Sequence, residues 1–227
     1  MFIRILFAAA AGAALSVAAG AASAAITVSN SPYETYAQDL GNFAQSNVLC
    51  DFESPTLCVA GYSFTFAGGS APGTGLFTGS QSGITAAPPG DGTQYASVLG
   101  PNGVATMTLA ASNLSGISFF MGSPDQYNSV IFRLGNTVVQ TFNGDSFTGP
   151  PANGDQSLGE RVSFRFNGAA VDNVQFTSTS NSFEFDRVGL AAGVPEPATW
   201  GLMILGFGGV GAMMRARRRQ AAAAATA

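Results

Sequence analysis

Two pairs of carboxylates, Asp51 with Glu53 and Glu184 with Asp186, stand two residues apart beside cysteine or phenylalanine. In a strand, residues i and i+2 share one face, so each pair sets its Cα atoms about 7 Å apart. Three kinds of chemistry are open to them. As solvated groups they keep an acidic surface soluble. As hard oxygen ligands, helped by loop carbonyls, Asp51, Glu53, Glu184 and Asp186 would hold a structural Ca²⁺, provided the first and last strands are neighbours. As acid and nucleophile they match the separation of about 5–9 Å used by glycosidases, yet nothing in the sequence marks one of them as a protonated acid. The solvated reading is favoured. A second candidate is the run Ser123-Pro124-Asp125-Gln126-Tyr127-Asn128-Ser129. There a sugar ring could stack on Tyr127 while Asp125 bonds its hydroxyls. Tyr62 and Tyr95 also lie beside loops. The plainer reading of all three tyrosines is a ring packed on the core with its hydroxyl in water.

Composition removes several other chemistries. The chain of 227 residues has no histidine, and its nine basic residues are all arginine. A Ser-His-Asp triad is therefore excluded, as is a catalytic or phosphate-binding lysine. Between residues 25 and 193 there are four arginines and twelve acids, a net charge of −8 (4 − 12). A nucleic-acid partner needs a basic patch and is not expected. The 29 glycines and 18 phenylalanines suit a β-protein with many turns and an aromatic core, not a disordered spacer.

Stepping along the chain, residues 1–24 read as a secretory signal peptide. Arg4 gives the positive end, residues 5–19 the apolar run, and Ala22-Ser23-Ala24 the cleavage site for signal peptidase. Export places Cys50 and Cys58 in an oxidising compartment. With no histidine to complete a metal site, a structural disulfide is expected, stabilising by roughly 2–3 kcal/mol. Residues 31–45 form a short helix or a loop. Strand patterns follow at 48–53, 62–66, 95–99, 105–109, 117–121, 130–134, 137–142, 161–166, 171–177 and 182–190. In 161–166, Val162, Phe164 and Phe166 take the packed side, and Arg161, Ser163 and Arg165 the wet side. Pro101-Asn102-Gly103 and Gly135-Asn136 read as hairpin turns. Residues 68–92 and 143–159 read as long loops. Nine or ten short strands without a convincing soluble helix predict an antiparallel two-sheet β-sandwich, jelly-roll-like, over residues 25–193.

The last part of the chain has a different character. Pro195-Glu196-Pro197 holds the backbone extended, as a protease or transpeptidase substrate must be. Residues 198–214 carry no charge, and as a helix they span roughly 25 Å. Trp200 marks one membrane edge, and Arg215, Arg217, Arg218 and Arg219 form a cytoplasmic stop. An Ala-rich tail, 221–227, follows. The order of these features over 194–220 resembles the PEP-CTERM sorting signal. That resemblance implies recognition at Pro195, Glu196 and Pro197 by an exosortase, a membrane-embedded cysteine transpeptidase, and removal of the helix and arginines. It also implies an inner-membrane precursor that reaches the surface or exopolysaccharide matrix of a Gram-negative cell. Through Pro88-Pro89-Gly90-Asp91-Gly92-Thr93-Gln94-Tyr95, the run from Met121 to Ser129 and Phe183-Glu184-Phe185-Asp186, the region from Pro88 to Leu190 is also similar to a family of exosortase-dependent surface proteins, which adds location but no chemistry. Where such families have asparagine after the last aspartate, this chain has Arg187. The expectation is a non-enzymatic surface or matrix protein. The alternative is a carbohydrate-binding module or adhesin acting on exopolysaccharide.

Overall fold

The computed structural model describes residues 25–53, 55–109, 114–122, 125–147, 154–157 and 159–191, with seven positions of the tail. In chain order the strands are β1 (Thr27–Asn30), β2 (Val48–Cys50), β3 (Ser63–Ala67), β4 (Gly75–Thr78), β5 (Gln94–Val98), β6 (Gly103–Thr108), β7 (Gly116–Met121), β8 (Asn128–Leu134), β9 (Thr137–Asn143), β10 (Glu160–Arg165), β11 (Asn173–Ser178) and β12 (Phe183–Leu190). Two short helices, α1 (Tyr36–Asn42) and α2 (Gly144–Phe147), interrupt them.

The pairing is that of a long hairpin rolled up on itself. β8 turns through Gly135-Asn136 into β9, and back from that tip β7 pairs β10, β6 pairs β11 and β5 pairs β12. Rolling then brings β12 beside β7 and β11 beside β8. Alternate strands fall into two antiparallel sheets. One has the order β1-β10-β7-β12-β5-β4 with β2 on β12, and the other has β3-β6-β11-β8-β9. The eight strands β5 to β12 therefore form the expected jelly roll.

Phenylalanines from both inner faces fill the space between the sheets. Phe176 of β11 stacks on Phe185 of β12 with ring centroids 4.2 Å apart, and Phe119, Phe132, Phe164 and Phe183 are fully buried around them. Each such side chain contributes about 1.5–3 kcal/mol by leaving water. Cys50 and Cys58 form the expected disulfide beside this core.

Several expectations need correction. Pro101-Asn102-Gly103 does not close a hairpin, because β5 and β6 lie in different sheets; the turn carries the chain across the sandwich. Residues 68–92 are not one loop, since β4 lies within them and pairs with β5. The strand expected over 48–53 ends at Cys50. β1 pairs β10, although its four residues carry too little pattern to mark a strand.

The outer face of the larger sheet is also not wet. Thr35 starts α1 with a reciprocal capping box to Gln38, which satisfies helix donors that water would otherwise hold. α1 then lies over the sheet, with Tyr36 edge-on to Phe120 at 5.8 Å. Arg161, expected on a solvated face, is buried beneath it. Its guanidinium grips Asp39 through Nε at 2.6 Å and Nη2 at 2.7 Å, and lies 3.5 Å from the Phe43 ring centroid. Arg187 Nε lies 3.1 Å from the same carboxylate, and its Nη2 donates to the Phe43 carbonyl at 2.9 Å. Arg187 reaches this face because β12 bulges. Phe183, Phe185 and Val188 all point into the core, so the alternation slips by one at Asp186 and Arg187. The slip holds Arg187 at φ +47°, a left-handed conformation that costs about 1–3 kcal/mol in a non-glycine residue. Breaking a buried ion pair by removing one partner costs about 3–5 kcal/mol. Asp39→Ala is expected to lose that much in urea unfolding. A loss below about 1 kcal/mol would mean α1 is held by its apolar contacts alone.

Candidate functional site

One end of the sandwich opens into a cleft of about 530 Å³. Four segments form it: residues 80–86 between β4 and β5, Asp125 and Tyr127 before β8, Gly154 and Gln156 before β10, and Asn181, Ser182 and Glu184 at the start of β12. The volume lies within the range of small-ligand sites. Asp125 and Tyr127, singled out from the sequence, both line it. Glu184 joins them from a strand, not a loop.

Glu184 forms the floor and is 1 % exposed. Its Oε1 accepts from the Ala86 backbone N–H at 2.8 Å, from Thr85 Oγ1 at 3.1 Å and from the Ser182 hydroxyl. Thr85 is held in turn by Ser97 Oγ at 2.8 Å and stands 3.3 Å from the Tyr95 hydroxyl. Oε2 of Glu184 has no hydrogen-bond partner. Burial raises the pKa of this carboxyl, and the charge of Asp125 raises it further against the three donors. The Tyr127 hydroxyl donates to the Asn181 carbonyl at 2.9 Å, which ties the β7–β8 connection to the β11–β12 turn. Burial and Asp125 raise the Tyr127 pKa, so it stays a neutral phenol. Asn181 donates from Nδ2 to the Gly83 carbonyl at 3.3 Å and fixes the wall of residues 80–86. A Cβ at Gly144 would overlap the Asp125 carbonyl, so α2 packs close behind that residue. The arrangement offers hydroxyls, amides and two carboxyls on a braced frame.

The remaining carboxylates do not join this cleft. Glu184 and Asp186 share the outer face of β12 as expected, but both are buried. Asp186 lies instead near Tyr36, Asp91 and Asp51. Asp51 accepts from Gln45 at 3.1 Å and from the Glu53 N–H at 3.3 Å, and Glu53 accepts from the Gln94 N–H at 2.6 Å. These bonds close turns. Among the described residues no group of three or more His, Cys, Asp or Glu side chains could hold a metal ion, so Asp51, Glu53, Glu184 and Asp186 do not assemble the Ca²⁺ site considered above. Tyr95 is fully buried and presents no face to a ligand, and Tyr62 is half-buried against the core, outside the cleft lining.

In sequence, the sorting residues follow the sandwich. Residues 193–219 match the family model described as the PEP-CTERM protein-sorting motif. The chain carries a PEP-CTERM protein-sorting motif. The match covers 27 residues (219 − 193 + 1) and leaves the sandwich outside it. The motif implies exosortase-dependent sorting of a secreted surface protein, from a membrane-anchored precursor, with exosortase as the processing partner. Pro195, Glu196, Pro197, Trp200, Arg217, Arg218 and Arg219 lie outside the described residues, as do residues 1–24; Arg215 is helical and exposed. Among the described residues no helix is long and apolar enough to cross a membrane, and most of 198–214 falls outside them. No curated protein matches the PEP-CTERM chain. Among solved structures, a cyclase from Fischerella sp. TAU, in complex with 4-(1H-indol-3-yl)butan-2-one, matches at 17 % identity. It covers 63 % of this chain and 96 % of that one with a TM-score of 0.27.

The buried carboxyls set a pH dependence. Burial raises Asp186 to about 8 and Glu160 to about 7, and raises Glu184 as well. Unfolded, such groups ionise near pH 4. From about pH 4 to pH 8 the folded state therefore holds more protons than the unfolded one, and stability falls as pH rises. The melting midpoint is expected to be highest near pH 4.5–5 and to decline towards pH 8, with Asp186→Asn removing part of that decline. A midpoint that rises across this range would contradict the assignment.

Proposed function

We propose that this is a non-enzymatic surface or matrix protein of a Gram-negative cell, whose sandwich binds exopolysaccharide in the end cleft. The observation that carries the reading is the meeting of Asp125, Tyr127 and Glu184 in one braced cavity lined by Gln81, Gln156 and Asn181. Planar amides and carboxyls bond sugar hydroxyls in both senses, and a tyrosine ring offers an apolar face to the ring carbons. The signal peptide delivers the chain to the secretion machinery, and the tail holds it in the inner membrane. Exosortase then acts at Pro195-Glu196-Pro197, after which the sandwich meets the polysaccharide outside.

Two measurements test this reading. The intact mass of the mature protein should place its C-terminus near Pro197, whereas changing Pro195, Glu196 and Pro197 to alanine should leave Arg215 to Arg219 attached. Retention of the arginines in both would make the tail a plain anchor. In a pull-down on purified exopolysaccharide, the wild type should be retained and Tyr127→Ala weakened by about tenfold, equivalent to about 1.4 kcal/mol. Equal retention would remove Tyr127 from the site. Release of reducing ends by the wild type would make the cleft catalytic.

A further inference from the structure

The outer face of the smaller sheet differs in composition from the rest of this acidic domain. Strand register sets its side chains in rows. One row runs Ser63, Thr108, Asn173, Arg133 and Val138 across β3, β6, β11, β8 and β9. The next runs Thr65, Thr106, Gln175, Ile131 and Thr141 over the same strands. Buried core residues alternate with these positions, so both rows face outward. Four strand spacings of about 4.8 Å make each row about 19 Å long. No outward position of the five strands is an acid, and residues 110–113 beyond β6 carry no charge either. The face is a strip of hydroxyls and amides with one cation, Arg133.

A shallow cavity of about 420 Å³ lies on this strip, lined by Thr106, Thr108, Arg133, Asn136 and Gln175 among others. Arg133 is half-buried and braced. Its Nε donates to Gln175 Oε1 at 2.7 Å, and its Nη1 to the Asn136 carbonyl at 3.2 Å. These bonds use two of the five guanidinium donors. Among the described residues its side chain makes no ion pair and no further hydrogen bond. Asp172 also borders the cavity, but its oxygens are engaged at the β8–β9 turn. Oδ2 accepts from the Gly135 N–H at 2.7 Å and Oδ1 from Asn173 Nδ2 at 2.8 Å. The free end of the guanidinium matches a carboxylate, which accepts two parallel N–H groups. Around it, hydroxyls and amides suit sugar hydroxyls, and half-buried Ile131 offers an apolar patch to ring carbons. Acids on the far sheet do not repel such a ligand strongly, because salt screens exposed charges beyond about 8 Å.

We propose that the outer face of the smaller sheet is a second polysaccharide site, which takes glycans bearing carboxylates and seats one carboxylate on Arg133. It shares no lining residue with the end cleft and does not depend on the cleft binding sugar. A neutral or esterified glycan would keep the hydroxyl contacts along the rows and lose the charged one.

Isothermal titration of the full-length chain in detergent tests this with tetragalacturonate, its full methyl ester and sodium sulfate. The acid tetramer should bind at least about tenfold more tightly than the ester, a difference of about 1.4 kcal/mol, and the preference should shrink as salt is raised. Arg133→Gln should abolish it. Thr108→Glu, at an exposed strand position, should also abolish it by placing an acid in the same row, so the test does not depend on one variant folding. Tyr127→Ala, in the end cleft, should leave the preference intact. Equal affinity for acid and ester would overturn the carboxylate seat. A preference kept in Arg133→Gln but lost in Tyr127→Ala would move the carboxylate to the cleft and overturn the second site. Sulfate binding as tightly as the tetramer would reduce the site to one for simple anions. No binding of either tetramer would overturn the sheet face as a sugar site, while the cleft is judged separately by the exopolysaccharide pull-down.

Discussion

Asp39 is buried with one carboxylate facing two guanidinium groups, and the outer face of the larger sheet depends on that contact. Arg161 comes from β10, Arg187 from the bulge of β12 and Asp39 from α1, so the triad joins three segments far apart in sequence. Once α1 is fixed, its N-terminal end holds two loops. The Tyr36 N–H donates to the Pro89 carbonyl at 2.8 Å, and the Glu34 N–H donates to the Gly159 carbonyl at 2.8 Å. Gly159 permits this close approach, since a Cβ there would stand 2.8 Å from the Phe120 ring and 2.9 Å from the Glu34 carbonyl oxygen. The loops so anchored are those that supply both walls of the cleft. The ionic triad under α1 therefore reaches the site through backbone hydrogen bonds on either side of it.

The sandwich was legible because one sheet keeps a clear alternation. In β8 and β11, buried and part-exposed residues follow one another at period two, the pattern a half-buried strand must show. In the larger sheet the signal fades for a physical reason. α1 and the 79–92 loop cover its outer face, so β7 and most of β12 are buried on both sides. A sequence read for one wet face then puts Arg161 in water. The bulge at Asp186 and Arg187 adds a second difficulty, since it shifts the phase and its left-handed residue is an arginine in place of a glycine. The signal that could have found α1 was local, with Thr35 and Gln38 at capping-box spacing.

The site was half legible for a related reason. Asp125 and Tyr127 stand in a polar run between strands, where an aromatic beside an acid draws notice. Glu184 was noticed only as the partner of Asp186. Which carboxylate faces the cleft is decided by how residues 80–86 fold over the start of β12, through Ala86 and Thr85. Nothing in the strand's own sequence separates the two acids. Spatial neighbours contributed by a loop about a hundred residues earlier do.

The strand that bears Glu184 is also the last one before the sorting motif. β12 lies inside its sheet, paired with β5, β2 and β7, and Ala191 is separated from Pro195 by three residues. An extended chain covers about 3.5 Å per residue, so the peptide to be cut begins within about 14 Å of the sandwich. Any pull on the tail, from the membrane or from whatever replaces it, acts along an interior strand bonded on both flanks. Such a load shears several ladders at once in place of unzipping an edge. The tether is thus attached at a mechanically strong point, and the same strand that bears the pull forms the floor of the cleft.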